Sequence, residues 1–205
     1  LRIMVMSATL DMPELSAMLN ASVVISEGRQ YPVEINYSGE SDMRLLPELA
    51  ARVVKSALQK HEGDILVFLP GQGEIRKCEE FLRSSIKGVM IHPLYGQLPP
   101  NKQFAAIMPN REGKRKIVLA TSIAETSLTI EGVKVVVDSG FGRTSRFDPN
   151  SGLSRLETVQ VSKDSADQRA GRAGRLSAGV CYRMWTLATQ SRLKEHGTPE
   201  IEHAD

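Results

Sequence analysis

Apolar and polar positions along this chain follow two alternating rhythms. Near-continuous apolar runs (DILVFLPG from Asp64, GVMIHPLY from Gly88, KIVLAT from Lys116 and VKVVVD from Val133) alternate with stretches of helical period. Leu45, Leu46, Leu49, Val53, Val54, Ala57 and Leu58 form one such stretch and predict an amphipathic helix ending near His61 and Gly63. EIRKCEEFLRSS and the residues after Pro100 predict two more helices. RIMVM (2–6) and VEINY (33–37) read as strands. DMPELSAMLN (11–20) reads as a short helix with Pro13 in its first turn. Strands this apolar belong to a parallel sheet covered on both faces, and their alternation with helices implies right-handed crossovers. The expected fold is α/β: a doubly wound, mainly parallel sheet with helices on both faces. SRLETVQVS (154–162) alternates more strictly and follows the turn residues DPNSG, so it predicts a projecting β-hairpin.

Composition narrows the partners. The 205 residues, 41% hydrophobic and 24% charged, are ordinary for a globular domain. Lysine and arginine total 26 against 24 acids, a formal charge of +2. Such a balance does not grip nucleic acid by bulk charge, so any polyanion must be held locally and with help from backbone amides. Cys78 and Cys181 lack metal-ligand spacing and read as free thiols in a reducing, cytoplasmic setting. No run of ~18 apolar residues suggests a membrane span.

QRAGRAGR (168–175) places three arginines among alanines and glycines. It reads as too small to pack a core and too ordered for a solvated charge run. SKDSADQ ahead of it offers capping residues, so a helix is expected to begin between Ser162 and Ser165. On a regular helix, Gln168, Arg172 and Arg175 then share one stripe and Arg169 points about a quarter turn away. Gly171 and Gly174 cost a helix ~1 kcal/mol each relative to alanine, so something is expected to approach the backbone there. Arginines paired with surface acids are the plain alternative, yet such pairs do not call for glycines. A phosphate suits two guanidiniums best. No G-x-x-x-x-G-K-[ST] loop is present, so the arginines are expected to reach a nucleotide held by another domain.

ATSIAETSLTIEG (120–132) follows a buried strand and so sits where open α/β sheets bind ligands. Ser122 and Glu125 have the spacing of a capping box. That role leaves Thr121, Thr126, Ser127 and Thr129 unexplained, and hydroxyls near a helix N-terminus suit a phosphodiester backbone. His92 and Trp185 read as structural residues.

Taken in order, MSATLD, ILVFLPG, VLATSIAETSLTIEGVKVVVDSGF and QRAGRAGR resemble the DEAH-box RNA helicases of superfamily 2. SEGRQYPVEI, PLYGQL, RFDPNSGLSRL and GVCYRMW bring the resemblance closest to the bacterial HrpB type. The resemblance implies a RecA-like fold and an NTP-dependent RNA helicase or translocase as parent. It implies residues 1–28 as the end of a first RecA-like domain with its linker and 29–190 as the second such domain. Residues 191–205 would begin the passage to a winged-helix domain. ATP or another NTP, with Mg2+, would be held mainly by the first domain. Single-stranded RNA would cross both, and no membrane is involved. Residue by residue, the resemblance assigns Gln168 to the attacking water and Arg172 and Arg175 to the terminal phosphates. It assigns Thr129 and Glu131 to the ribose side of the nucleotide, with Ile107 against the base. Thr121, Ser122 and Thr126 would meet RNA, and Ser7 and Thr9 would couple hydrolysis to domain movement. Two departures stand out: Ser122 where most relatives have asparagine, and Ile107 where several stack an aromatic. Weak discrimination among NTPs is therefore expected.

On this reading the chain is inactive alone. A DNA-directed superfamily 2 motor would share the arginine stripe, and a non-catalytic RNA-binding module would share the fold.

Overall fold

The computed structural model describes residues 5, 12–24, 31–39, 42–110, 113–125, 128–148 and 152–197. The strand expected at 2–6 falls outside them apart from Val5, which lies in no regular element. The other expected elements are present: α1 (Met12–Leu19), β1 (Val33–Tyr37), α2 (Leu46–Lys60), β2 (Asp64–Phe68), α3 (Gln72–Arg83), β3 (Met90–Leu94), α4 (Pro100–Ile107), β4 (Lys116–Ala120) and β5 (Val133–Asp138). The hairpin follows as β6 (Phe141–Asp148) and β7 (Leu153–Gln160), then α5 (Lys163–Gly171), β8 (Gly179–Arg183) and α6 (Leu187–Arg192). Among the described residues no helix is long and apolar enough to cross a membrane.

Six strands form one sheet in the order β1-β8-β5-β2-β4-β3, with every pairing parallel. β8 was not anticipated as a strand, yet it lies between β1 and β5. Side chains alternate across the sheet, as the pleat requires. Ile65, Val67, Ile117, Leu119, Val135 and Val137 face α2 and α3, which bring Leu46, Val54, Ile75, Cys78 and Leu82. Leu66, Phe68, Val118, Ala120 and Val136 face the other way, against Ala106 of α4 and Ala124, Ala170 and Ala173. α2 opens with Pro47 and Glu48 and closes with Lys60, residues that suit the charges at the ends of a helix. Cys78 and Cys181 are free and buried, and burial pushes the Cys78 thiol up to about 12. Trp185 is buried, with its indole N–H donating to Gln190 Oε1 at 2.8 Å. The hairpin is antiparallel from Phe141↔Gln160 to Asp148↔Leu153, and every residue of β7 is exposed.

Candidate nucleotide and RNA interface

α5 begins where the capping residues predict, at N-cap Ser162. Its first amides are satisfied differently, however. Lys163 N–H and Asp164 N–H donate to the carbonyls of Lys194 and Glu195 at 2.8 and 3.2 Å. The Ser162 hydroxyl turns to the Asp164 carboxylate instead. Ala166, Arg169 and Ala170 face the sheet, at the i, i+3, i+4 spacing of a helix laid on a core. At Gly171 the α-helix ends, and Arg172–Gly174 forms a 3-10 turn. The tightening corrects the expected single stripe: past Gly171 the chain no longer turns at α-helical pitch. It also corrects the expectation that QRAGRAGR packs no core, because Arg169, Ala170, Arg172, Ala173 and Gly174 are all buried.

The hydroxyl-rich loop runs beside this segment, and the three arginines join the two in succession. Arg169, 2% exposed, donates Nε–H to Glu125 Oε2 at 3.0 Å and Nη1–H to Asp138 Oδ1 at 2.9 Å. It also reaches the Phe141 carbonyl and lies over the Phe68 ring, 4.9 Å from the centroid. Burial works against its charge, but Asp138 and Glu125 outweigh burial and hold the pKa above its ordinary value. Arg172 donates to the carbonyls of Glu125 and Leu128. Burial, then the neighbouring charge of Arg175, pulls its pKa down to about 10. Arg175 is exposed and donates Nη1–H to Thr129 Oγ1 at 2.8 Å. Gln168 is half-buried on α5.

The two glycines of the segment have different surroundings. A Cβ on Gly174 would stand 2.5 Å from the Tyr31 carbonyl oxygen and 2.7 Å from Val33 Cγ2. The close approach expected there is made by the chain itself, and Tyr31 N–H donates to Gly174 O at 3.0 Å. A Cβ on Gly171 would meet nothing among the described residues within 4 Å.

The expected capping box does not form. Ser122–Ala124 is one 3-10 turn behind N-cap Thr121, and the Glu125 carboxylate goes to Arg169. Thr121 leaves the end of β4, and its N–H donates to Leu94 O at 3.1 Å. Ser122 is exposed and opens onto a groove of about 890 Å³ between the hairpin, α5 and residues 192–197, with Arg143, Arg146, Arg192 and Lys194 along its walls. Thr126, Ser7 and Thr9 lie outside the described residues. Thr129 and Glu131 are exposed ahead of β5. Ile107, half-buried at the end of α4, joins them through Lys116. The Lys116 ammonium donates to Ile107 O at 3.2 Å and lies close enough to Glu131 for that carboxylate to favour its charge. Pairwise contacts thus link Arg175 to Thr129 and Lys116 to the Ile107 carbonyl, with Glu131 near Lys116, around the amino ends of β4 and β5. The RNA candidates Thr121 and Ser122 stand at the opposite, carboxyl end of β4.

Sequence reading missed Asp138, Lys116 and the ion-pairing role of Glu125. An acid closing a buried strand (VKVVVD) and a lysine opening one (KIVLA) were the available signals. Among the described residues no three His, Cys, Asp or Glu side chains gather as a metal site.

Residues 44–177 match the helicase conserved C-terminal domain, and the chain belongs to that family. Its relatives give the RecA-like fold a more particular setting. ATP-dependent RNA helicase HrpB of Escherichia coli is 46% identical over 207 residues, covering 100% of this chain and 26% of the relative. ATP-dependent RNA helicase DEAH11 of Arabidopsis thaliana is 42% identical over 212 residues, covering 98% of this chain and 12% of that protein. A crystal structure of the E. coli DExH-box NTPase HrpB superposes with a TM-score of 0.86 at 47% identity, over 95% of this chain and 24% of that one. A second HrpB structure gives 0.88. The chain thus spans about a quarter of the length of its HrpB relatives.

Proposed function

We propose that this chain acts as the second RecA-like domain (29–190) of an NTP-dependent RNA helicase or translocase. Residues 1–28 would close the first domain, and 191–205 would lead to a winged-helix domain. Arg175 reaches the transferring phosphate, where a guanidinium stabilises developing charge. Arg172 joins it by exchanging the carbonyls of Glu125 and Leu128 for phosphate oxygens, and Gln168 orients the attacking water. Thr129 and Glu131 meet the ribose and Ile107 covers the base. Mg2+ and most of the triphosphate belong to the first domain. Thr121, Ser122 and Thr126 take RNA phosphates or sugars, while Ser7 and Thr9 carry the coupling. The groove beside Ser122 suits a polyanion, because arginines and a lysine line it and Glu157, on its wall, is already paired with Arg146 at 3.4 Å.

One observation carries the reading. Arg175 bonds to Thr129, and Lys116 links the Ile107 carbonyl to the neighbourhood of Glu131. Three segments distant in sequence thereby bring a guanidinium, a hydroxyl, a carboxylate and an apolar residue into one region, the kinds of group a nucleotide uses from phosphate to base. The test is NTP hydrolysis by the full-length parent with and without single-stranded RNA, for wild type and Arg175→Ala. RNA-stimulated turnover is expected to fall by about 10²-fold or more in the variant. Stimulation that survives the substitution would show that Arg175 only braces Thr129. The domain without its partner is expected to hydrolyse nothing above background.

A further inference from the structure

Lys116 is an unusual residue to find at the start of a buried apolar strand. It opens β4, yet it is 1% exposed. Its ammonium donates to the carbonyls of Ala106, Ile107 and Met108 at 3.1, 3.2 and 2.9 Å. Three N–H donors thereby meet three acceptors, so the buried group is fully used. Those carbonyls are the last of α4 and its cap, the groups every helix leaves without an internal partner. α4 has eight residues and no basic residue in its last turn, and its C-cap Met108 is extended rather than a left-handed glycine. A helix that short does not hold its own end in water. Its end is held instead from β4, an interior strand between β2 and β3.

The charge is kept in place by its surroundings. Burial disfavours the ammonium and lowers its pKa, while Asp64 and Glu131 oppose that shift. The Lys116 N–H donates to Asp64 Oδ1 at 2.8 Å, so the carboxylate also fixes the backbone from which the side chain springs. With so little exposure, Lys116 does not touch a ligand. It ties the residue ahead of Met108 to the sheet, with Glu131 on its other side.

We infer that Lys116 is a positioning residue for nucleotide binding: by holding the last carbonyls of α4 it sets where Ile107 stands against the base. The inference rests on the reading of Ile107 as the base contact. An alternative, purely structural role would lower stability without acting through Ile107.

The experiment is a double-mutant cycle in the full-length parent with saturating RNA, reading KM and kcat for ATP. Lys116→Met keeps length and removes the donors. It is expected to raise KM about tenfold while kcat stays within about threefold. In an Ile107→Ala background the same change is expected to move KM by less than about twofold, because the contact it positions is gone. A KM penalty that adds in full in that background overturns the inference. So does a fall in kcat with KM unchanged. If Ile107→Ala alone leaves KM unaltered, the base contact itself is wrong and the inference falls with it, which distinguishes the two failures. Should Lys116→Met lose its cooperative melting, Lys116→Gln serves in the same cycle with the same criteria.

Discussion

On the face covered by α2 and α3, contact is made by leucine, isoleucine and valine side chains such as Leu46, Val54, Ile75 and Leu82. On the opposite face the signature segments contribute the alanines Ala124, Ala170 and Ala173 beside Ile130, and three arginines bridge between those segments. The first arrangement is non-directional and offers a ligand nothing to exchange. The second consists of donors that now hold carbonyls, carboxylates and a hydroxyl, and phosphate oxygens are acceptors of the same kind. Small side chains bring the two backbones close enough for the arginines to reach across. One face thus maintains the domain, and the other, on the proposed function, trades its internal bonds for a bound anion.

Four substitutions would break or sharpen that contrast. Arg169→Ala strands Glu125 and Asp138, the latter 0% exposed, and should cost about 3–5 kcal/mol in urea unfolding. A loss below about 1 kcal/mol would show that charge does not hold the second face. Leu82→Ala, on the first face, should cost about 3 kcal/mol through the cavity it leaves. Turnover per folded molecule should be unchanged, and a specific loss of activity would erase the division between the faces. The smallest effects come from the glycine pair. Gly174→Ala drives a methyl into the Tyr31 carbonyl and should cost about 1–3 kcal/mol. Gly171→Ala meets open space and should add up to about 1 kcal/mol of stability. If the stabilised Gly171 variant also loses NTP turnover in the full-length protein, the space above it belongs to the ligand.

Much of the first face could be read in advance, because its strands are unbroken Val, Ile and Leu runs and its helices carry long apolar stripes. β8 escaped because Gly179–Arg183 carries a glycine and an arginine; Val180 and Tyr182 are only half-buried, unlike the runs in β2 and β4. The second face was legible in residue type but not in geometry. Arg175 and Thr129 were both singled out, yet the bond between them spans 46 positions. Arg169 finds its carboxylates 44 and 31 positions away, and no local pattern points to them. The helical stripe failed for a definable reason: it assumed α-helical pitch through Gly171, where the chain tightens into a 3-10 turn.

The hydrogen bond from Tyr31 to Gly174 has a mechanical meaning. Tyr31 stands two residues ahead of β1, and its amide is fastened to the turn between Arg172 and Arg175. Tension applied at Tyr31 would load this bond before the β1–β8 ladder, so the arginine turn would feel the strain ahead of the sheet. A tether pulled from that side would register there as a tug on Arg175.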